Sequence, residues 1–262
     1  MENNIRKRTL TGTADREERE YEKKHRRVAR EAAAQGMVLL ENRDGLLPLD
    51  REKPVALYGA GAVVTIKGGS GSGDVNARGT VSIWQGMKEA GFRITTEKWL
   101  SSYEEAYRAA RLSWKADLLG RAGQMEGGIE GNAGLNFFQV YADNPFRIPA
   151  GSVPEKKEEG DEAETAVFVL SRTAGEGADR KNEPGDFLLT AEEQALLDAV
   201  CRLYEHVVLV LNTGGIMDLS FADEKENIDA ILYIHQPGME AGSAFADVLS
   251  GEVCPSGKLT DT

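Results

Sequence analysis

Three apolar runs limit how this chain can fold. They are Ala166-Val167-Phe168-Val169-Leu170, Val207-Val208-Leu209-Val210-Leu211 and the stretch from Ile228 to Ile234. A strand that alternates apolar with polar residues keeps one face in water. A strand that is nearly all apolar has to be covered on both faces. Helical patterns lie between and after the runs. Thr190 is placed to cap a helix from Ala191 to about Tyr204, with Glu193 three positions on completing a capping box. A second helix is predicted from Met239 to Leu249. Strands that alternate with helices build a parallel sheet whose right-handed crossovers bring the strand C-termini to one edge. The expected fold is therefore α/β: a three-layer α/β/α sandwich with a mostly parallel sheet of about six strands.

The first half of the chain gives a coarser reading. Residues 1–15 are polar and form a lead-in. Residues 15–42 read as one long helix with Val28, Ala32, Met37, Val38, Leu39 and Leu40 on its apolar face, ended by Gly45 and Pro48. Strands are expected at 54–59 and 92–98, and helices at 81–90 and from Ser101 to about Leu119. Residues 120–160 have no clear period and read as an irregular excursion over a sheet edge. The charged run at 154–164 reads as a solvated face.

Four loops then share the C-terminal edge, at 59–75, 171–186, 212–215 and 235–238. One of them, SRTAGEGADRKNEPGDFLL, sets Glu176 between Gly175 and Gly177, with Asp179 and Arg180 close behind. A carboxylate on a glycine-flanked loop after a parallel strand stands where α/β proteins place their chemistry. Asp179 and Arg180 read as a salt bridge that shapes the loop. Another loop, Ile66 to Asn76, carries four glycines but departs from both phosphate-binding patterns. It ends in Gly-Asp-Val where a Walker loop has Gly-Lys-Ser/Thr, and Gly59-Ala60-Gly61 lacks the third glycine of the dinucleotide fingerprint. Asp74 would repel a phosphate. Hydroxyls beside a carboxylate suit a polyol, whose hydroxyls donate to Asp and exchange hydrogen bonds with Ser.

A net charge of −12 argues against nucleic acid and anionic membranes as partners. Two cysteines make no disulfide framework, and Cys201 reads as a small buried apolar group. With no apolar leader and no run of spanning length, a cytoplasmic location is expected. No pair of histidines has metal-ligand spacing, so neither metal nor cofactor is expected. His235 lies at the edge and reads as a locally satisfied side chain.

These motifs together resemble glycoside hydrolase family three. The segments AREAAAQGMVLLENRDGLLPL and VALYGAGAVVTIKGGSGSGDVNARGTVSIWQGMKEAGF are similar to the opening of that family's second, α/β-sandwich domain. SRTAGEGADR, NTGGIMDL and YIHQPGMEAGSAFADVLSGEVCPSGKLTDT follow in family order. The match covers about 28–120 and 165–262. The resemblance implies a retaining β-glycosidase of β-glucosidase type, working on an oligosaccharide or β-glucoside by double displacement through two carboxylates. Glu176 resembles the general acid/base. Ser72 resembles a serine that reaches a sugar hydroxyl, with Asp74 ranked after it and Ser70 after that. The family's nucleophilic aspartate lies in a separate (β/α)-barrel, in a Ser-Asp-Trp-type motif. Neither Trp84, Trp99 nor Trp114 is preceded by Ser-Asp, so residues 16–262 are expected to be the sandwich domain, with the barrel absent from this chain. The ends of the chain suggest the order in which the sandwich comes first. Alone, the chain is expected to be inactive, and its partners to be the barrel and, as a homodimer, a second copy. With few apolar anchors, residues 174–186 are expected to be loosely held. A catalytically silent carbohydrate-binding relative and a nucleotide-binding doubly wound domain stand as alternatives.

Overall fold

A computed structural model describes residues 17–70, 73, 75, 77–129, 135–174 and 180–259. Six strands form one sheet: β1 (Val38–Asn42), β2 (Pro54–Tyr58), β3 (Arg93–Ile94), β4 (Thr165–Arg172), β5 (His206–Thr213) and β6 (Ile228–Tyr233). Their order is β1-β6-β5-β4-β2-β3. All pairings are parallel except that of β1 with β6. The three apolar runs are the centre of β4, β5 and β6, and nearly every side chain on them is buried. The expected sheet is present, with about the strand count predicted.

Helices cover both faces. The Tyr58 ring meets Trp99 at 5.1 Å and Tyr204 at 5.9 Å. These belong to α4 (Glu97–Gln124) and to the end of α6 (Ala191–Leu203), which therefore share a face. On the other face α2 (Ala60–Val63) packs on Val169 and Ser171 of β4. It adjoins α3 (Ile83–Glu89), which lies against α8 (Ala241–Leu249). The Thr190–Glu193 capping box forms as predicted. A short α7 (Ser220–Asp223) joins β5 to β6.

The helix expected across 15–42 is two elements. The first, α1 (Glu20–Gly36), packs on α8, where Arg30 holds Asp247 at 2.5 and 2.6 Å and Arg26 reaches Glu240 at 2.5 Å. The apolar residues after Gly36 then turn into β1 and pair antiparallel with β6. They satisfy an edge whose N–H and C=O groups would otherwise stand open. The strand expected at 92–98 is cut to two residues because Thr96 leaves it. Its hydroxyl accepts from Leu57 N–H at 2.9 Å and donates to Leu57 C=O at 2.8 Å, and α4 starts there.

The stretch 120–160 is also more ordered than expected. Helix α4 runs on to Gln124, and α5 (Leu135–Asp143) packs against it through Leu118, Ala122 and Val140. Beyond α5 the chain is held to α4 by Trp99 Nε1–H to Ser152 C=O and by Tyr103 O–H to Pro149 C=O, both 2.8 Å. The charged run is partly structural, since Asp161 accepts from the Tyr204 hydroxyl at 2.5 Å and Glu158 from Trp99 N–H at 2.8 Å.

The α3–α8 contact is glycine on glycine. A Cβ on Gly86 would stand 2.1 Å from the Gly242 carbonyl, and one on Gly242 would stand 1.8 Å from the Ser82 oxygen. Both neighbours are backbone and have no rotamer to yield. Gly86→Ala is expected to cost roughly 1–3 kcal/mol through overpacking. Urea unfolding would read this as a lower midpoint at unchanged slope.

Candidate active site

After β2 the chain leaves for β3 on one side of the sheet, then crosses back to β4 on the other side of β2. Strands β2 and β4 are neighbours, so the loops that follow them part in opposite directions and leave a crevice. Gly59, the first residue beyond β2, takes φ +92 and lies so close to β4 that a Cβ would fall 2.3 Å from the Val169 oxygen. Only glycine meets both demands.

The two diverging loops are tied at their bases. Ser70 N–H donates to Ala174 C=O at 2.9 Å. Further in, the buried Asn212 at the end of β5 fixes two loops with one amide. It accepts from Ile66 N–H at 2.6 Å and donates to Ile66 C=O at 2.9 Å and His235 C=O at 2.7 Å. Gly238 N–H adds a bond to Lys67 C=O at 2.9 Å. From outside, Glu22 of α1 holds Arg78, at the far end of the glycine-rich loop, at 2.9 and 3.2 Å. His235 sits at φ 55 with its ring 4.1 Å from Tyr233, and its half-buried setting pushes its pKa down. Its ring is packed on Tyr233.

The far side of the β4 loop is anchored as well. Arg172 forms a two-pronged pair with Glu193 at 2.5 and 2.6 Å and donates to Asp186 C=O at 3.1 Å. The Asp186 carboxylate accepts from Arg180 at 2.7 Å and from Lys181 N–H at 2.8 Å. Burial pushes the Asp186 carboxyl up. The Arg180 hydrogen bond and charge, the Lys181 N–H and the Arg172 charge outweigh it, leaving the pKa below the usual carboxylate range. Residues 180–186 are thus held by charge and hydrogen bonds, which corrects that part of the loose segment expected at 174–186 from its lack of apolar anchors; residues 175–179 lie outside the described residues. Arg180 pairs with Asp186, six residues on.

Glu176, Ser72, Asp74 and Asp179 lie outside the described residues. The structure brings together the flanks of their two loops, at Ser70 and Ala174. Asn212 and Arg172 were not singled out from the sequence. Each is a polar residue at the end of an otherwise apolar strand, and that position was the available signal. Burial pushes the Cys201 thiol up to about 11, far from a reactive thiolate. A hollow of about 250 Å³ lies on the outer flank of the glycine-rich loop, beside Thr65, Lys67, Ser82 and Tyr107. Among the described residues, none of the β4 loop lines it. Among the described residues no group of His, Cys, Asp or Glu is placed to hold a metal ion. Among the same residues no helix is long and apolar enough to cross a membrane.

The profile of the family described as glycosyl hydrolase family 3 C-terminal domain matches residues 37–262. The chain is 30% identical over 270 residues to β-glucosidase A of Butyrivibrio fibrisolvens, covering 91% of this chain and 28% of that protein. It is 34% identical over 235 residues to a β-glucosidase of Ruminococcus albus, covering 89% and 22%. Among solved structures, β-glucosidase 3B from Thermotoga neapolitana in complex with glucose superposes with a TM-score of 0.67 and 34% identity. That match covers 90% of this chain and 30% of that one. The chain therefore spans less than a third of the length of these relatives.

The Asp186 anchor has a pH signature. A carboxyl whose folded pKa is lowered adds stability that is complete above its unfolded value of about 3.9 and is lost as pH falls through the folded value. Asp186→Asn should destabilise the chain at pH 7. The gap to wild type in thermal melts should narrow as pH falls below the ordinary aspartate range. A gap that persists unchanged in acid would remove the ionised carboxylate from the account.

Proposed function

The chain belongs to the glycosyl hydrolase family 3 C-terminal domain family, and on that footing we propose that it is the sandwich domain of a retaining β-glycosidase of β-glucosidase type. It hydrolyses terminal non-reducing β-linked sugars together with a (β/α)-barrel domain of the same protein. It supplies the general acid/base, Glu176, and one wall of the cleft. The observation that carries this reading is the Ser70–Ala174 hydrogen bond. Ser72 and Glu176 each stand two residues beyond that tie, and two residues of chain reach at most about 7 Å.

The chemistry needs one carboxyl in two protonation states. In the first half-reaction a protonated Glu176 gives its proton to the glycosidic oxygen while the barrel carboxylate attacks the anomeric carbon. In the second, ionised Glu176 takes a proton from the water that cleaves the glycosyl ester. A free glutamate titrates near 4.3, and the neighbouring nucleophile carboxylate raises that value in the resting enzyme. Ester formation removes the nucleophile's charge, so the value falls again when a base is wanted. Ser72 and Asp74 take sugar hydroxyls in this reading. The two free thiols, Cys201 and Cys254, support the cytoplasm as its compartment.

The chain alone should give only background release from a nitrophenyl β-glucoside. Turnover that disappears in Glu176→Gln would contradict this. In the complete enzyme, Glu176→Ala should slow substrates with poor leaving groups by about 10²–10⁴-fold, spare good ones, and be partly rescued by azide. Equal losses without rescue would place the acid elsewhere. Ser72→Ala should lower kcat/KM by about 0.5–1.5 kcal/mol, one hydrogen bond's worth, at an unchanged melting temperature. A lower melting temperature with unchanged kinetics would make that loop structural.

A further inference from the structure

The hairpin of α4 and α5 carries apolar surface that the fold does not cover. Leu112 is 68% exposed, Leu119 46%, Leu135 62% and Phe138 66%. On α4 the exposed residues fall in a strict order. Ser101, Glu105, Arg108, Leu112, Lys115 and Leu119 are all exposed and are spaced four, three, four, three and four apart. Such spacing lays six side chains along one stripe of a helix, in the pattern of a two-helix seam. The stripe flanks the face of Leu100, Tyr103, Leu118 and Ala122, which pack inward.

The charges on this helix are divided along its length. Neighbouring pairs are satisfied within α4, Glu104 with Arg108 and Asp117 with Arg121, each at 2.7 Å. Arg111 lies over the Trp114 and Phe146 rings. On the stripe, Glu105 toward the N-terminal end and Lys115 toward the C-terminal end have no ion-pair partner among the described residues. The helix dipole favours acid early and base late. It gives no reason for Leu112 and Leu119 to stand in water on the same stripe.

We propose that α4 is a self-association surface that pairs antiparallel with α4 of a second copy of this chain. A two-fold axis near residue 110 sets position 105 opposite 115, 108 opposite 112 and 101 opposite 119. Glu105 then meets Lys115 of the second copy, and the reverse, so the dimer holds two such ion pairs. Leu112 is covered by the aliphatic stem of Arg108, and Leu119 lies over the small Ser101. Parallel pairing would set like charges side by side. Antiparallel pairing in this register matches acid to base, as a closed two-fold contact requires. The seam is about 27 Å long at 1.5 Å per residue, so the dimer belongs to the small, reversible class of interfaces.

The test uses the 262-residue chain and no activity, so it stands apart from the glycosidase reading. Sedimentation velocity from about 1 to about 500 µM, a range that spans weak interfaces, should show the mass rise from 28.5 kDa to twice that value. Lys115→Glu should weaken association at least about tenfold, and Leu112→Asp should abolish it, with melting temperatures unchanged because both sites are exposed. Combining Glu105→Lys with Lys115→Glu should restore the dimer. A chain that stays monomeric throughout, a dimer indifferent to Lys115→Glu, or a charge swap that fails to rescue would each overturn the proposal.

Discussion

The Asn212 side chain, buried at the end of β5, donates both amide hydrogens to main-chain carbonyls and accepts one main-chain N–H. Few side chains can do this. Aspartate would lose both donors, and leucine would leave the Ile66 N–H and two carbonyls unpaired in a dry site, at about 1–3 kcal/mol for each lost partner. Through this amide the glycine-rich loop and the turn at His235 are hung from the central strand. The Ser70–Ala174 bond carries the same order across to the β4 loop. The rim of the crevice is thus set by one buried side-chain amide and by backbone hydrogen bonds.

Around this centre the fold adds charge where apolar anchors are lacking. Arg172, Glu193, Arg180 and Asp186 brace the far side of the β4 loop. Helix α1 braces the end of the glycine-rich loop through Glu22 to Arg78, and the start of α8 through Arg26 to Glu240. These are joined to the sheet through partly buried carboxylates with several partners each, an arrangement that outperforms isolated surface pairs.

The central sheet was legible because β4, β5 and β6 are apolar on both faces, and the capped helix α6 because Thr190 and Glu193 satisfy each other locally. The family was legible from four loop motifs in order, and the profile over residues 37–262 agrees. Strand β1 was not legible, since its apolar residues continue a helical pattern and only the open edge of β6 selects a strand. Strand β3 was overcalled because the Thr96 hydroxyl, bonded to Leu57, ends it early. Helix α5 was missed in a glycine-rich stretch whose order comes from packing on Leu118 and Ala122. At the site, Asn212 hid inside a turn-like Asn-Thr-Gly-Gly. Its role depends on partners 146 and 23 residues away, which no local pattern reports.

The central claim is that the β2–β4 crevice holds Ser72 and Glu176 against one substrate. A crystal structure of the full-length enzyme, trapped with a slow fluoro-sugar glycoside, tests it directly. The account predicts the Glu176 carboxyl within hydrogen-bond distance of the glycosidic oxygen, Ser72 on a hydroxyl of the same ligand, and the Ser70–Ala174 bond intact. A trapped sugar with Glu176 turned away from it and another carboxylic acid on the departing oxygen would contradict the account.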